Sequence, residues 1–187
     1  NYVVWNWLAG GTASSNTDGS ITSQVSANTT SGFSIVRWSG TASNATIGHG
    51  LGVAPKMIIC KDTSDTYNWG VYHQAIGNTK YLYLNSTAAE ATTSSTWNNT
   101  TPTSTVFSVG NAGATNASGT NNMIAYCFAE KKGYSKFGSY TGNGSTDGTF
   151  VYTGFKPAWV MVKRTNTSGG SWVITDNKRS AFNEVDK

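Results

Sequence analysis

The chain has 187 residues, of which 12% are charged, and a formal net charge of +4 at pH 7. Its seven Trp, nine Tyr and seven Phe exclude a disordered chain, and its length provides for one domain or two small ones. Residues 131–187 hold nine Lys or Arg against four acids. Because these basic residues are scattered and not clustered, they indicate a solvated face, and we expect no nucleic-acid partner.

The two cysteines, Cys60 and Cys127, each lie within an apolar run. The chain has no C-x-x-C spacing, which argues against a zinc site or a redox motif, and no cofactor is indicated. We therefore expect two buried free thiols, with one cross-strand disulfide as the alternative. No apolar run reaches the length of about 18 residues that a membrane-spanning helix needs, so we expect no membrane insertion.

Short apolar runs separated by small polar turns predict an all-β fold with little or no helix. The first predicted strand, residues 2–8, is followed by a polar segment, 11–31, which we interpret as a linker. Seven strands fit an antiparallel β-sandwich of jelly-roll or immunoglobulin-like type. Residues 32–130 contain that number, at 33–38, 45–49, 55–61, 69–73, 81–84, 106–109 and 123–128.

An internal repeat organises the chain. The sequence HGLGVAPKMIICK at 49–61 returns as YTGFKPAWVMVKR at 152–164. Pro55 matches Pro157 at a spacing of 102 residues, and Trp69 matches Trp172 one residue out of step. In each copy a Gly-x-x-Pro turn leads into a strand, which suits proline because it fixes φ and lacks an N–H. A spacing kept over a long run indicates tandem modules.

The repeat divides the chain into segments. We expect residues 1–10 to be the closing strand of a preceding module, 11–31 a polar linker, 32–130 a complete sandwich module and 131–187 the first half of a second copy. That half should borrow strands from residues 1–10 or from a neighbouring chain, because a few strands cannot bury a face alone. Its strands are predicted at 137–141, 149–152, 158–163 and 172–175. The residues expected to face a core are Met57, Ile59, Val160 and Val162.

Catalytic and metal sites find little support in the sequence. His49 and His73 stand at strand ends without a second His or Cys at ligand spacing, which favours turn hydrogen bonds over metal ligation. No serine-triad context is present, and the nine acids are too sparse for the paired carboxylates of a glycosidase. The loop 143–148 has oxygen-bearing side chains at alternate positions, but it carries one acid and is better interpreted as a tight turn than as a calcium loop.

The long loop 88–105 is the candidate binding site. It holds Trp97, Asn98 and Asn99 among hydroxyl and amide side chains, and the strand residue Tyr72 is a further candidate for glycan or partner binding. An aromatic ring among hydrogen-bonding groups suits a sugar, and loops on a rigid scaffold often carry recognition. The alternative is that Trp97 is tucked under its loop and plugs the end of the sandwich. Two other aromatic candidates are Trp69 and Tyr140.

Several segments together resemble a family of tandem repeat domains. These are GFSIVRWSG, IGHGLGVAPKMIICK, WNNTTPTSTVFSVG, IAYCFAE and the second-copy run from YSKFGSYTGNGSTDG to FVYTGFKPAWVMVKR. The family occurs in large predicted virion proteins of marine and other environmental tailed bacteriophages. The resemblance implies a place, the virion, and a role as a fibre, tail or head-surface module. It implies no catalytic residue.

Two classes of function follow as hypotheses. The first is a non-enzymatic structural or adhesive module at the virion surface. Its partners would be other virion proteins, further copies of itself and host-surface glycans. The second is a polysaccharide-active enzyme domain of the tailspike type, against which the scarcity of paired carboxylates argues.

Overall fold

The computed structural model describes residues 4–119 and 121–178, which form an antiparallel β structure with two single-turn helices. Eight strands make the main sheet in the order β1-β2-β3-β10-β5-β6-β7-β8. The pairs β4–β9 and β11–β12 lie outside it. The all-β prediction is therefore confirmed. The elements are β1 (Ser14–Asn16), β2 (Ser23–Asn28), β3 (Phe33–Ser39), β4 (Ala45–Gly48), β5 (Met57–Asp62), β6 (Gly70–His73), β7 (Lys80–Tyr83), β8 (Ala91–Thr92), α1 (Ser94–Trp97), β9 (Val106–Val109), α2 (Gly113–Asn116), β10 (Asn122–Phe128), β11 (Trp159–Val162) and β12 (Val173–Asp176).

A second layer covers one face of the main sheet. The strand pair β4–β9 packs there together with α1, so that side chains from both layers meet in one core. Trp38 of β3 and Phe107 of β9 are in edge-to-face contact, with ring centroids 5.7 Å apart. This arrangement is a sandwich of unequal layers. The core members from the sheet are Val25, Val36, Trp38, Ile58, Cys60, Tyr72, Met123, Ala125 and Cys127.

The opposite face of the sheet is also covered. Met57, Val71 and Leu82 form a second apolar cluster, and Met161 and Trp172 from the C-terminal hairpin pack against it. β5 therefore buries side chains on both faces, which explains why its sequence is a continuous apolar run. The prediction that Met57 and Ile59 face a core is confirmed, since Met57 belongs to this cluster and the half-buried Ile59 packs against it.

The polar segment 11–31 differs from the linker that its composition predicted. It supplies β1 and β2, and β2 pairs with β3 through five residue pairs. Val25 is buried, and the hydroxyl of Ser23 donates to the carbonyl of Gly48 at 3.0 Å. Backbone pairing needs no apolar side chains, so a mostly polar segment with few inward-facing residues can still be a strand.

The β11–β12 hairpin reproduces the register of β5–β6. Met57 stands opposite His73, and Trp159 stands opposite Asp176 at the corresponding position. The next three pairs follow with the same spacings of 102 residues on one strand and 103 on the other. The repeat is therefore structural over this hairpin, whereas its extension to whole tandem modules stays a prediction.

A lysine side chain donates hydrogen bonds to the loop of each hairpin. The ammonium of Lys61 donates to the carbonyls of Asp65 and Tyr67, at 2.7 and 2.8 Å. Lys163, its counterpart, donates to the carbonyl of Gly170, which corresponds to Tyr67. The lysine at the end of both strands therefore has the same structural role in the two repeats.

The Gly-x-x-Pro turn also recurs with the same backbone. Gly52 and Gly154 have φ of 72° and 82°, in the left-handed region where a side chain is disfavoured. Pro55 and Pro157 follow three residues later in each copy. The turn chemistry inferred from the sequence is therefore present in both repeats.

Three predictions for the second repeat fail. Residues 137–141 and 149–152 form no strand, and Val160 is 40% exposed. β3 is a strand because β2 and β10 flank it, and the described residues provide no such pair beside 137–141. Val160 corresponds to Ile58 and not to Ile59, so Met161 is the residue that turns onto the second cluster. Val162 is half-buried.

The N-terminal segment contacts the second repeat. Residues 4–8 form no strand, and residues 2 and 3 of the predicted strand lie outside the described residues. Trp7 makes an edge-to-face contact with Trp159 at 5.5 Å, and the indole N–H of Trp5 donates to a carboxylate oxygen of Asp176 at 3.3 Å. The predicted donation of a strand by residues 1–10 is therefore not seen in residues 4–8, which contact the second repeat through side chains instead.

Candidate functional site

The predicted binding aromatics are in the core. Trp97 is 1% exposed and Tyr72 is 2% exposed, and their rings are in edge-to-face contact at 5.8 Å. Thr93 caps α1, since its hydroxyl accepts the N–H of Ser95 at 3.1 Å, and this turn carries Trp97 beneath the loop. The structure therefore corrects the assignment of Trp97 and Tyr72 as exposed sugar platforms and supports the alternative of a plug.

Asn98 and Asn99 end the α1 turn. Both have left-handed backbone conformations, with φ of 49° and 47°, which asparagine tolerates better than most residues. The N–H of Asn98 donates to the carbonyl of Ser94 at 2.9 Å. Asn98 is half-buried and Asn99 is exposed, so Asn99 alone among the four predicted site residues is freely presented to solvent.

A shallow pocket of about 250 Å³ lies beside the predicted site, between the Pro55 turn and the loop that follows Trp97. The side-chain amide of Asn78 donates to the hydroxyl of Thr101 at 2.9 Å and joins the two walls. Burial raises the pKa of Tyr72, whose phenol lies in the pocket wall and therefore stays protonated at neutral pH. The residues that can contact a ligand here are Lys56, Gln74, Asn78 and Thr101.

No local sequence pattern indicates this pocket. Gln74 and Asn78 lie in the turn after β6, and Thr101 lies far along the chain in the loop after α1. Only the antiparallel order of β5 and β6 and the return of the α1 loop bring them together. The polar turn after β6 is the one local feature of the sequence that is consistent with a surface pocket here. Chemically, the pocket offers an ammonium group, amides and a hydroxyl, which suit hydrogen bonding to a polyhydroxy ligand.

Both histidines make turn hydrogen bonds, as predicted. His49 is fully buried, with Nδ1 accepting the N–H of Leu51 at 3.2 Å and Nε2 lying 3.2 Å from the carbonyl of Thr103. This pattern fits the neutral tautomer that carries its proton on Nε2. Burial lowers the pKa of His49 and of His73, and Nδ1 of His73 accepts the N–H of Ala75.

The carboxylates of the first repeat are engaged in structural contacts. Glu90 pairs with Lys80, and Glu130 pairs with Lys136 at 2.9 Å. Asp62 is fully buried and accepts the N–H of Ser64 at 2.8 Å. None of these contacts places two carboxylates on opposite sides of a cleft, which glycoside hydrolysis requires.

The cysteines are buried, unbridged thiols, as expected. Cys60 and Cys127 lie on the adjacent strands β5 and β10. Burial raises the pKa of Cys127 to about 12. Burial, with a smaller contribution from Cys127, raises the pKa of Cys60. Neither sulfur is a thiolate nucleophile near neutral pH.

The loop 143–148 is a tight turn held by its own side chains. The side-chain oxygen of Asn143 accepts the N–H of Ser145 at 3.1 Å, and the hydroxyl of Ser145 accepts the N–H of Asp147 at 3.1 Å. Across the described part of the chain, no group of three or more His, Cys, Asp or Glu side chains is placed to hold a metal ion. Nor does any described helix have the length and apolar character to cross a membrane.

The fold is an antiparallel β-sandwich, and its surface pocket has a lining of mixed polar and apolar residues. The full chain, residues 1–187, matches a family described as "Domain of unknown function (DUF7483)", and it belongs to that family. No curated protein and no solved structure matches the chain.

Proposed function

We propose that the chain is a non-enzymatic structural and adhesive module of a bacteriophage virion, as part of a fibre, a tail or the capsid surface. The observation that carries this proposal is the recurrence of the β5–β6 hairpin as β11–β12 with the same register. The second hairpin also packs on the sheet of the first repeat. Repeats that pack on their neighbours build extended structures, and the sequence resemblance supplies the virion as the setting.

The pocket beside Pro55 supports adhesion to a host-surface glycan. Its lining combines the polar Lys56, Gln74, Asn78 and Thr101 with the apolar Ala54, Pro55 and Pro102. The polar groups match the hydroxyls of a sugar, and the lysine adds attraction for an acidic one. We also propose neighbouring virion proteins as partners, because the same face of the domain can bind polar groups on another protein's surface.

The glycan part of the proposal is tested by adsorption to host cells and by binding to host envelope polysaccharide. Gln74→Ala removes an exposed amide from the pocket and should weaken binding without changing the melting temperature. Gln24→Ala, at an exposed position of β2 far from the pocket in the sheet order, is the matched control and should bind normally. Equal binding by the two variants would remove the pocket from the proposal. New reducing ends in the polysaccharide would instead support the enzyme alternative.

A further inference from the structure

A segment of the second repeat leaves large apolar side chains in solvent. Within residues 138–152, here called the aromatic arm, Tyr140, Phe150, Val151 and Tyr152 are 52%, 86%, 49% and 78% exposed. The hydroxyl of Thr149 donates to the carbonyl at position 141 at 2.7 Å, which closes the arm so that Tyr140 and Phe150 flank the closure. Several large apolar groups exposed in one short segment are typical of an interaction site.

The first repeat shows how the same element is covered when its partners are present. Trp38 is the counterpart of Tyr140 at the spacing of 102 residues, and it is only 5% exposed. Its strand, β3, lies between β2 and β10, and its ring contacts Phe107 on β9. In the first repeat, neighbouring strands therefore bury the position that stays open in the arm.

We propose that the aromatic arm docks on a second copy of this chain. A second exposed apolar segment lies near residue 1, where Val4 and Leu8 are 71% and 79% exposed. The sequence of that segment, YVVWNW at 2–7, resembles MIAYCF at 123–128 in β10, the strand that borders β3. One molecule thus carries both the uncovered arm and a segment of the type that covers its counterpart.

The position of Trp7 supports this matching. In the first repeat, Phe128 of β10 stands opposite Met57 of β5. Trp7 and Trp159 are the counterparts of Phe128 and Met57, and their rings are 5.5 Å apart. Residues 4–8 form no strand, so this contact is made by side chains alone, and Trp7 also contacts Phe33 and Phe128 of the first repeat. The side chains of Val4 and Leu8 remain exposed and can contact a neighbouring molecule.

Charge does not oppose this contact. Asp147 is the one charged side chain of the arm, and residues 1–10 have no charged side chain. The contact would therefore be mainly apolar. A contact between two different surfaces is heterologous and can continue from one molecule to the next. The inference rests on the proposed function, as it names the surface through which such modules would associate.

The test is the mass of the purified chain in solution, measured by light scattering across a range of concentrations. The wild type should associate with increasing concentration. A variant with Tyr140→Ser, Phe150→Ser and Tyr152→Ser should remain a monomer. The control combines Tyr134→Ser and Val53→Ser, which remove two exposed apolar side chains, 59% and 43% exposed, outside the arm. The control should associate like the wild type.

Two outcomes would overturn the inference: a wild type that stays monomeric at its highest soluble concentration, or an arm variant that associates as the wild type does. If the wild type is monomeric and the arm variant loses glycan binding, the arm is a sugar-binding surface and not a contact between copies. Melting temperatures of the three proteins show whether each is folded. Gln74→Ala should associate normally, so failure of glycan binding at the pocket and failure of association are separate results.

Discussion

Trp97 decides whether the long loop is a binding element or part of the core. Its ring is almost fully buried against Tyr72, and its indole N–H makes no hydrogen bond with the described part of the chain. A loop tryptophan among hydroxyls and amides has the composition of a sugar site. The capped turn of α1 instead places the ring under the loop, where it closes the end of the sandwich.

Trp97→Ala should therefore lower the free energy of unfolding by roughly 3 kcal/mol or more, the usual cost of emptying a buried aromatic site. Trp97→Phe should cost less, because it keeps most of the packing and removes an unpaired buried N–H. Chemical denaturation of both variants measures the difference. The exposed Tyr134→Ala serves as the control and should change little. A fully stable Trp97→Ala would show that the ring is not a plug.

His49 makes stability depend on pH. Burial lowers its pKa below the ordinary value, although the Thr103 carbonyl and the charge of Asp18 offset part of that effect. The unfolded chain therefore takes up the proton first as the pH falls. The stability that comes from burying the neutral ring is present above about pH 6.5 and is lost below it.

We expect the wild-type melting temperature to fall between about pH 7.5 and about pH 5.5, and we expect a smaller fall in His49→Gln. The comparison uses the difference between the two pH values, because the substitution itself changes a buried site. The pKa of His73 is lowered in the same direction, so some pH dependence should remain in His49→Gln and decrease further in His49→Gln/His73→Gln. Identical falls in all three proteins would refute this account.

At the scale of the element, β5 differs from an ordinary surface strand because both of its faces are covered. Ile58 is fully buried in the core beneath β4–β9, whereas Ile59 is half-buried against the C-terminal hairpin. Ile58→Asp should unfold the chain, since an unpaired buried carboxylate costs several kcal/mol. Ile59→Asp should lower the free energy of unfolding by less, because the side chain at position 59 is partly accessible to water. Urea denaturation measures both, with the exposed Val53→Asp as the control. A larger loss in Ile59→Asp would reverse the assignment of the two faces.

The seven strands predicted for the first repeat match the structure to within about two residues, with β9 matching in full, whereas β8 lies within the segment predicted as a loop. Their apolar runs and Gly or Pro boundaries are local signals that the tertiary structure does not override. β1 and β2 were missed because the inward-facing residues of β2, Ser23, Val25 and Ala27, include just one large apolar side chain. The strands at 137–141 and 149–152 were predicted from the repeat, but pairing partners and not sequence alone decide whether a strand forms.

The site was less predictable than the fold. Period-2 alternation indicates which residues share a face, but it does not say which face is covered, so Tyr72 could be assigned either to the core or to the surface. For Trp97 the outcome depended on the direction of a single helical turn. The pocket residues Gln74 and Thr101 are brought together by the sheet order, which the sequence pattern does not encode locally.

At the scale of the whole molecule, the second hairpin is held to the first repeat through polar and apolar contacts. The N–H of Glu90 donates to the carbonyl of Thr165 at 2.8 Å, and the N–H of Gly169 donates to the carbonyl of Thr87 at 2.9 Å. The indole of Trp172 donates to the carbonyl of Tyr83 at 2.9 Å, and its ring packs on the second cluster. Since the first repeat has its own core under β4–β9, the hairpin should detach without unfolding the rest.

Trp172→Ala tests this independence. It removes both the ring that packs on the cluster and the hydrogen bond to β7, so amide exchange at residues 159–162 and 173–176 should become faster. Amides of β3 and β10 should keep the protection of the wild type, because their neighbours in the sheet and the layer above them are unchanged. Trp172→Phe separates the two contributions, as it retains most of the packing but cannot donate to Tyr83. If exchange in β3 and β10 accelerates together with the hairpin in Trp172→Ala, the two repeats form one cooperative unit, and the hairpin is not an independently docked copy.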